Sequence, residues 1–127
     1  MAEQKTILVV DDSTLVRRYY RSTLEQAGFK VEEAMNGLEA LEKLLVMPCD
    51  MLIVDVNMPQ MDGFTFLSLL RNKDTPAASV PALITSTESG LSDFEAARSA
   101  GANFYLVKPL APELLLEFAA MFCGLQR

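Results

Sequence analysis

Five short segments of this chain read as strands, and the stretches between them carry apolar residues at helical spacing. The first strand, Thr6-Ile7-Leu8-Val9-Val10, is a β-branched run that ends at Asp11-Asp12. Ser13 or Asp12 can cap the helix that follows, whose apolar face is Leu15, Val16, Tyr19, Tyr20, Leu24 and Ala27. Gly28 ends that helix. Arg17, Arg18 and Arg21 fall away from its apolar face and read as a solvated set. Phe29 to Ala34 is the second strand. Asn36 and Glu39 form a capping pair for a helix reaching Val46, where Met47-Pro48 breaks it.

The central strand is Met51-Leu52-Ile53-Val54-Asp55. Its residues are apolar without alternation up to the carboxylate, as in a parallel strand covered on both faces. Met58-Pro59 forces an extended turn, and Gln60-Met61-Asp62-Gly63 leads into a helix over 63–72. Phe64, Phe66, Leu67 and Leu70 are available for its buried side. Lys73 to Pro81 is a polar, proline-bounded loop. Ala82-Leu83-Ile84-Thr85 is the fourth strand and runs into Ser86 and Thr87. Ser92 and Glu95 make a capping box for a short helix that Gly101 closes. Ala102 to Val107 is the fifth strand, Lys108-Pro109 stops it, and Pro112 opens the last helix.

Strands alternating with helices imply a parallel α/β sheet with right-handed crossovers. The carboxyl ends of its strands then point one way. They deliver Asp11-Asp12, Asp55, Ser86 or Thr87, and Lys108 to one edge, the edge where open α/β sheets hold ligands.

The chain has 127 residues, half of them hydrophobic, which fits one domain over residues 1–127 with a real core. A net charge of −6 argues against a nucleic-acid role. No apolar stretch approaches the roughly 20 residues of a bilayer span, and the N-terminus has no signal-peptide pattern. Cys49 and Cys123 match no metal spacing and read as buried thiols in a reduced, cytoplasmic setting. The chain contains no histidine. That removes a Ser-His-Asp triad, a histidine zinc site and a phosphohistidine carried by this chain.

Carboxylates gathered at one edge need a counter-charge, and the candidates are Lys108 and a hard cation. All the donors are oxygens, which favours magnesium. A carboxylate can also attack phosphorus and form an aspartyl phosphate. Metal and lysine would neutralise the transferring phosphoryl group, and Ser86 could donate to one of its oxygens. Taken singly, Asp11-Asp12 could be a helix cap and Ser86 a strand-end hydroxyl satisfying backbone. The combination at successive strand ends is what points to phosphoryl chemistry.

These residues carry a resemblance. Val9-Val10-Asp11-Asp12, Asp55-Val56-Asn57-Met58-Pro59 with Met61-Asp62-Gly63, and Ala100-Gly101-Ala102 with Val107-Lys108-Pro109 resemble the receiver domain of two-component response regulators. The likeness runs from Thr6 to about Phe122 and is strongest to stand-alone chemotaxis regulators of the CheY type. It implies a flavodoxin-like (βα)5 fold, a five-stranded parallel sheet of order 2-1-3-4-5 with helices on both faces. It implies that Asp55 is the phosphoacceptor and that Asp11, Asp12, Asp55 and the Asn57 backbone carbonyl hold magnesium. Lys108 matches the lysine that contacts the phosphoryl group, joined to Pro109 by a cis peptide, and Tyr105 matches the switch aromatic. Counting back from Lys108 puts the switch hydroxyl on Ser86, with Thr87 the neighbouring alternative. Thr85 then occupies a place the family usually fills with an apolar residue. Asn57 and Glu88 match positions that tune dephosphorylation.

The implied partners are a histidine kinase or histidine phosphotransfer protein upstream and a protein target, such as a flagellar motor switch component, downstream. A phosphorylation-dependent dimer is a further expectation. A phosphorelay shuttle or a phosphate sink would share the same sequence features. A small phosphohydrolase of the haloacid-dehalogenase type would need an acidic residue where Asn57 stands. A scaffolding pseudo-receiver sits poorly with an intact acidic pair, Asp55 and Lys108.

The last helix, Glu113 to Cys123, is apolar over most of its circumference. Leu115, Ala119 and Phe122 form its core face, and Glu113 and Glu117 share a narrow polar stripe flanked by Leu114, Met121, Leu116 and Ala120. The excess apolar surface reads either as deeper coverage by neighbours or as a docking or dimer surface. The second reading takes in Phe94, Tyr105, Leu114, Phe118 and Met121.

Overall fold

A computed structural model describes residues 4–87 and 90–124 of the chain. Five strands and five helices alternate: β1 (Thr6–Val10), α1 (Thr14–Gln26), β2 (Lys30–Ala34), α2 (Gly37–Val46), β3 (Met51–Asp55), α3 (Gly63–Arg71), β4 (Ala82–Ser86), α4 (Leu91–Ala100), β5 (Phe104–Val107) and α5 (Pro112–Phe122). The strands pair in parallel in the order β2-β1-β3-β4-β5, so the flavodoxin-like receiver architecture is the observed one.

Side chains alternate across a strand, and here both faces are covered. Leu8, Val10, Leu52, Val54, Ala82 and Ile84 pack against Phe66, Leu67 and Leu70 of α3 and Ala97 and Ala100 of α4. Ile7, Val9, Val31, Met51, Ile53 and Leu83 pack on the other face against Tyr20 and Leu24 of α1 and Leu115 and Ala119 of α5. The unalternating pattern of the central strand therefore has its expected cause: every residue from Met51 to Asp55 is buried.

Several local expectations hold at the level of single hydrogen bonds. Ser13, rather than Asp12, caps α1 by accepting from the Val16 amide. Asn36 accepts from Glu39 N at 2.8 Å, and Glu39 accepts in return from Met35 N at 3.1 Å. Asp62, not singled out as a cap by the pattern, caps α3 by accepting from Thr65 N. Gly101 closes α4 with a φ of 102°, a left-handed conformation that glycine adopts without a Cβ penalty. The Lys108–Pro109 peptide is cis.

Other expectations need correction. Leu15 is 77% exposed and Ala27 is also exposed, so the buried face of α1 rests on Tyr20 and Leu24. Of the arginines read as solvated, Arg18 is exposed and the Arg21 side chain stays 43% exposed, but Arg17 is largely covered, and both Arg17 and Arg21 bind Glu33 on β2, at 2.9 and 2.6 Å. Ser92 lies inside α4; the cap position is Gly90, which offers no side-chain bond. The loop after α3 contains a 3-10 turn at Pro76–Ser79. β2 and β5 begin at Lys30 and Phe104, later than the pattern proposed, and α3 ends at Arg71 rather than at residue 72. Phe29 is nonetheless buried. On α5, Ala120 is buried along with Leu115 and Ala119, while Phe122 is only half-buried. Cys123 is buried but Cys49 only half so, and burial pushes their thiols up to about 11 and about 12. Both are therefore poor nucleophiles.

Candidate functional site

The parallel register sets the carboxyl ends of β1 and β3 side by side, with Val10 opposite Val54. Asp11 and Asp55 each follow directly and come to the same edge. β4 lies on the far side of β3, with Thr85 opposite Asp55, and Lys108 follows β5, one strand further out. Two strand spacings are about 10 Å, a gap that the lysine and aspartate side chains close from opposite sides. Lys108 Nζ donates to Asp11 Oδ2 at 2.7 Å and lies 3.0 Å from Asp55 Oδ1. Asp11 is 1% exposed and Asp55 7%, so one ammonium serves two buried carboxylates. Asp12 stays exposed beside them.

The backbone around Asp55 is held from several directions. Val56 N donates to Thr85 O at 3.0 Å and Gly63 N to Val56 O at 2.9 Å. Gly63 sits so close to the carbonyl of Asp55 that a Cβ there would overlap it. Only glycine lets α3 start this near β3. Met61 N bonds Pro59 O at 2.7 Å around Gln60, whose φ is 70°. That tight turn reverses the chain between β3 and α3. On the opposite side, Asp11 Oδ1 accepts from Ser13 N at 2.9 Å, and the Asp11 carbonyl accepts from Arg17 at 2.6 Å.

Charge and burial compete here. Burial is the largest influence on Asp55 and raises its carboxyl above the usual range; the Asp11 charge adds to this, and Lys108 only partly opposes it. For Lys108 burial works against the charged form. The hydrogen bonds that Lys108 donates to Asp11 and Asp55 outweigh burial and hold the ammonium above its usual pKa. The lysine is thus well supplied with counter-charge, whereas Asp55 is not. One oxygen from each of Asp11, Asp12 and Asp55 lies within 4.8 Å of the others. An all-oxygen, under-compensated acidic cluster of this kind fits a hard divalent cation and not a thiophilic metal.

Ser86 is the last residue of β4, 1% exposed, and its carbonyl accepts from Lys108 N at 2.7 Å. Thr87 follows it and is exposed. Thr85 is buried in the core, with its hydroxyl donating to Val54 O at 3.5 Å. Asn57 is exposed on the turn after β3. Tyr105 is half-buried on β5, its ring edge-on to Phe94 with centroids 6.3 Å apart. Phe94, Leu114 and Met121 are exposed, and Phe118 is tucked against Phe104 and Phe122. Phe94, Tyr105, Leu114, Phe118 and Met121, expected from the sequence to form a partner surface, lie on α4, β5 and α5. Glu88 lies outside the described residues.

The profile of the response regulator receiver domain matches residues 7–120. The chain belongs to this family. It is 40% identical to the chemotaxis protein CheY1 of Helicobacter pylori over 120 residues, covering 93% of this chain and 96% of that protein. It is 34% identical to protein PilG of Pseudomonas aeruginosa, over 87% of this chain and 81% of that one. Among solved structures, chemotaxis protein CheY4 of Vibrio cholerae superposes with a TM-score of 0.88 at 36% identity, covering 94% of this chain and 99% of that one. This CheY-like receiver carries Asp11, Asp12, Asp55 and Lys108 at the sheet edge where the strand pattern put them.

Two contributors to this receiver's site escaped the pattern reading. Arg17, which grips the Asp11 carbonyl, read as solvated; an acidic residue on the neighbouring strand, Glu33, was the available signal. Gly63 reads from the sequence as a helix start and as part of the family motif, but a glycine just after a buried strand can also mark close backbone approach.

Proposed function

We propose that this chain is a phosphorylation-dependent switch of a two-component system, with Asp55 as the acceptor and magnesium as the cofactor. The observation that carries this reading is the convergence of three carboxylates, within 4.8 Å of one another, with a lysine bonded to two of them. Magnesium held by Asp11, Asp12, Asp55 and the Asn57 carbonyl would supply charge neutralisation for phosphoryl oxygens. An Asp55 oxygen forms a bond to phosphorus while the phosphorus–nitrogen bond of a phosphohistidine breaks, in a histidine kinase or histidine phosphotransfer protein. The imidazole leaves with the electron pair and takes up a proton. The Lys108 ammonium turns to the phosphoryl oxygens. The Ser86 hydroxyl donates to one of them, with Thr87 as the alternative donor, and Tyr105 rotates inward. Asn57 and Glu88 border the approach of water and set the lifetime of the phosphorylated state.

The output is a change of affinity at a surface that includes Phe94, Tyr105, Leu114, Phe118 and Met121. The chemotaxis names of the CheY1 and CheY4 relatives support a chemotaxis role, for which the proposed target is a flagellar motor switch component and the proposed setting the cytoplasm. Among the described residues no helix is long and apolar enough to cross a membrane. Polar substitutions at Leu114 and Met121 are expected to weaken target binding, or dimerisation of the phosphorylated form, and to leave Asp55 phosphorylation intact.

The deciding experiment is intact mass after incubation with a small-molecule phosphodonor, with and without magnesium, on wild type and Asp55→Asn. A magnesium-dependent phosphoryl adduct that disappears in the variant supports the reading. No adduct on folded wild type refutes the switch, and an adduct that survives Asp55→Asn refutes the acceptor. Transfer from phosphorylated Asp55 to a histidine phosphotransfer protein would assign the chain to a relay instead of a terminal output.

A further inference from the structure

The turn that carries Lys108 is tied down on both sides of its proline. Upstream, the Lys108 amide donates to Ser86 O at 2.7 Å. Downstream, the Tyr19 hydroxyl donates to Leu110 O at 2.6 Å, across 91 positions of sequence. Pro109 has no N–H with which to add a tether, and residues 108–111 belong to neither strand nor helix. The two hydrogen bonds therefore bracket the segment from which the lysine projects.

Tyr19 is well placed for this. It lies on α1, the helix that begins just after Asp11-Asp12. Its hydroxyl thus joins the segment bearing the acidic pair to the segment bearing the ammonium. Its ring packs on buried Tyr20 with centroids 5.6 Å apart, and its acceptor belongs to Leu110, itself 4% exposed. A bond of 2.6 Å is at the short end for a hydroxyl donor. Lysine is a flexible point charge, so the simultaneous reach of Nζ to Asp11 and Asp55 depends on where its backbone starts.

We propose that Tyr19 is a positioning residue for phosphoryl acceptance: its hydroxyl fixes the turn after β5 so that Lys108 meets Asp11 and Asp55 together. This rests on the reading of Asp55 and Lys108 as the phosphoryl site. Tyr19→Phe removes the hydroxyl and keeps the ring, so the packing on Tyr20 survives.

The test compares wild type, Tyr19→Phe, Lys108→Ala and the double variant, each checked for folding by thermal melting. The first readout is the Lys108 ammonium signal in lysine-labelled NMR spectra of the unphosphorylated protein, identified by its loss in Lys108→Ala. The second is the rate of Asp55 phosphorylation by acetyl phosphate with magnesium. The expected result is a shifted Lys108 signal and a rate lowered roughly three- to tenfold, as slight mispositioning produces. In the Lys108→Ala background the same change should alter the rate by less than about twofold, since the two residues act as one unit. An unmoved Lys108 signal overturns the proposal. So does equal slowing in both backgrounds, which would assign the hydroxyl to the fold in general. Absence of an adduct on wild type would refute the acceptor reading instead, and the Lys108 signal would still decide the role of Tyr19.

Discussion

The Asp55 carboxyl has its proton affinity raised first by burial and then by the Asp11 charge, against the pull of Lys108. A carboxyl whose native pKa lies above its unfolded value costs stability when ionised, and the cost sets in as pH rises through that interval. Asp55→Asn is therefore expected to melt a few degrees higher than wild type at neutral pH, without magnesium. The difference should close as pH falls below the ordinary carboxylate range, where both side chains are uncharged. Melting curves of the pair across pH 3–8, a range of about five units around the usual carboxylate pKa, check this. A constant difference would locate the stabilisation elsewhere. Gly63 makes a second prediction at this scale. A Cβ there overlaps the Asp55 carbonyl, so Gly63→Ala must displace backbone, at a cost of about 1–3 kcal/mol for overpacking. Urea unfolding should show that loss, together with slower phosphorylation.

Among the elements, α1 does more than cover one face of the sheet. Arg17 and Arg21 clamp Glu33 on β2, and Arg17 also holds the Asp11 carbonyl. Burial opposes ionisation of Glu33, but the hydrogen bonds from Arg21 and Arg17 prevail and keep its carboxyl below the usual range. Its contribution is fully present above the ordinary carboxylate pKa and is lost as pH falls through the depressed native value. A double-mutant cycle of Arg17→Ala and Glu33→Ala is expected to give about 1 kcal/mol of coupling at neutral pH. The coupling should vanish in acid. Coupling that persists in acid would mean that the side chains interact by packing rather than by charge. The same helix shows the limit of periodicity. Leu15 lies one helical turn from Tyr19, yet it is 77% exposed, while Tyr20 and Leu24 are buried.

At the scale of the molecule, the cluster of Asp11, Asp12 and Asp55 gathers more negative charge than Lys108 answers. A divalent cation that binds there should stabilise the folded chain by mass action, by about 2.7 kcal/mol at a hundredfold excess over its dissociation constant. Thermal melting against magnesium concentration measures this without any phosphodonor. The midpoint should rise with magnesium, return with a chelator, and fail to rise in Asp12→Asn. Equal stabilisation of Asp12→Asn would show that the cation binds somewhere else.

The sequence by itself determined the alternation of strands and helices, the buried central strand and the candidates Asp11, Asp12, Asp55 and Lys108. These are legible because they rest on local rules. Apolar periodicity follows from the geometry of each element, and Asn36 and Gly101 act within a few residues of themselves. Only the tertiary structure decided that Lys108 touches both Asp11 and Asp55, that Ser86 is buried while Thr87 is exposed, and that Arg17 belongs to the site. It also decided that Tyr19 reaches Leu110. Each of these depends on how far strands distant in sequence stand apart and which turns close over them. The driving force, burial of the two faces of one sheet, is a property of the whole chain. No window along the sequence contains it.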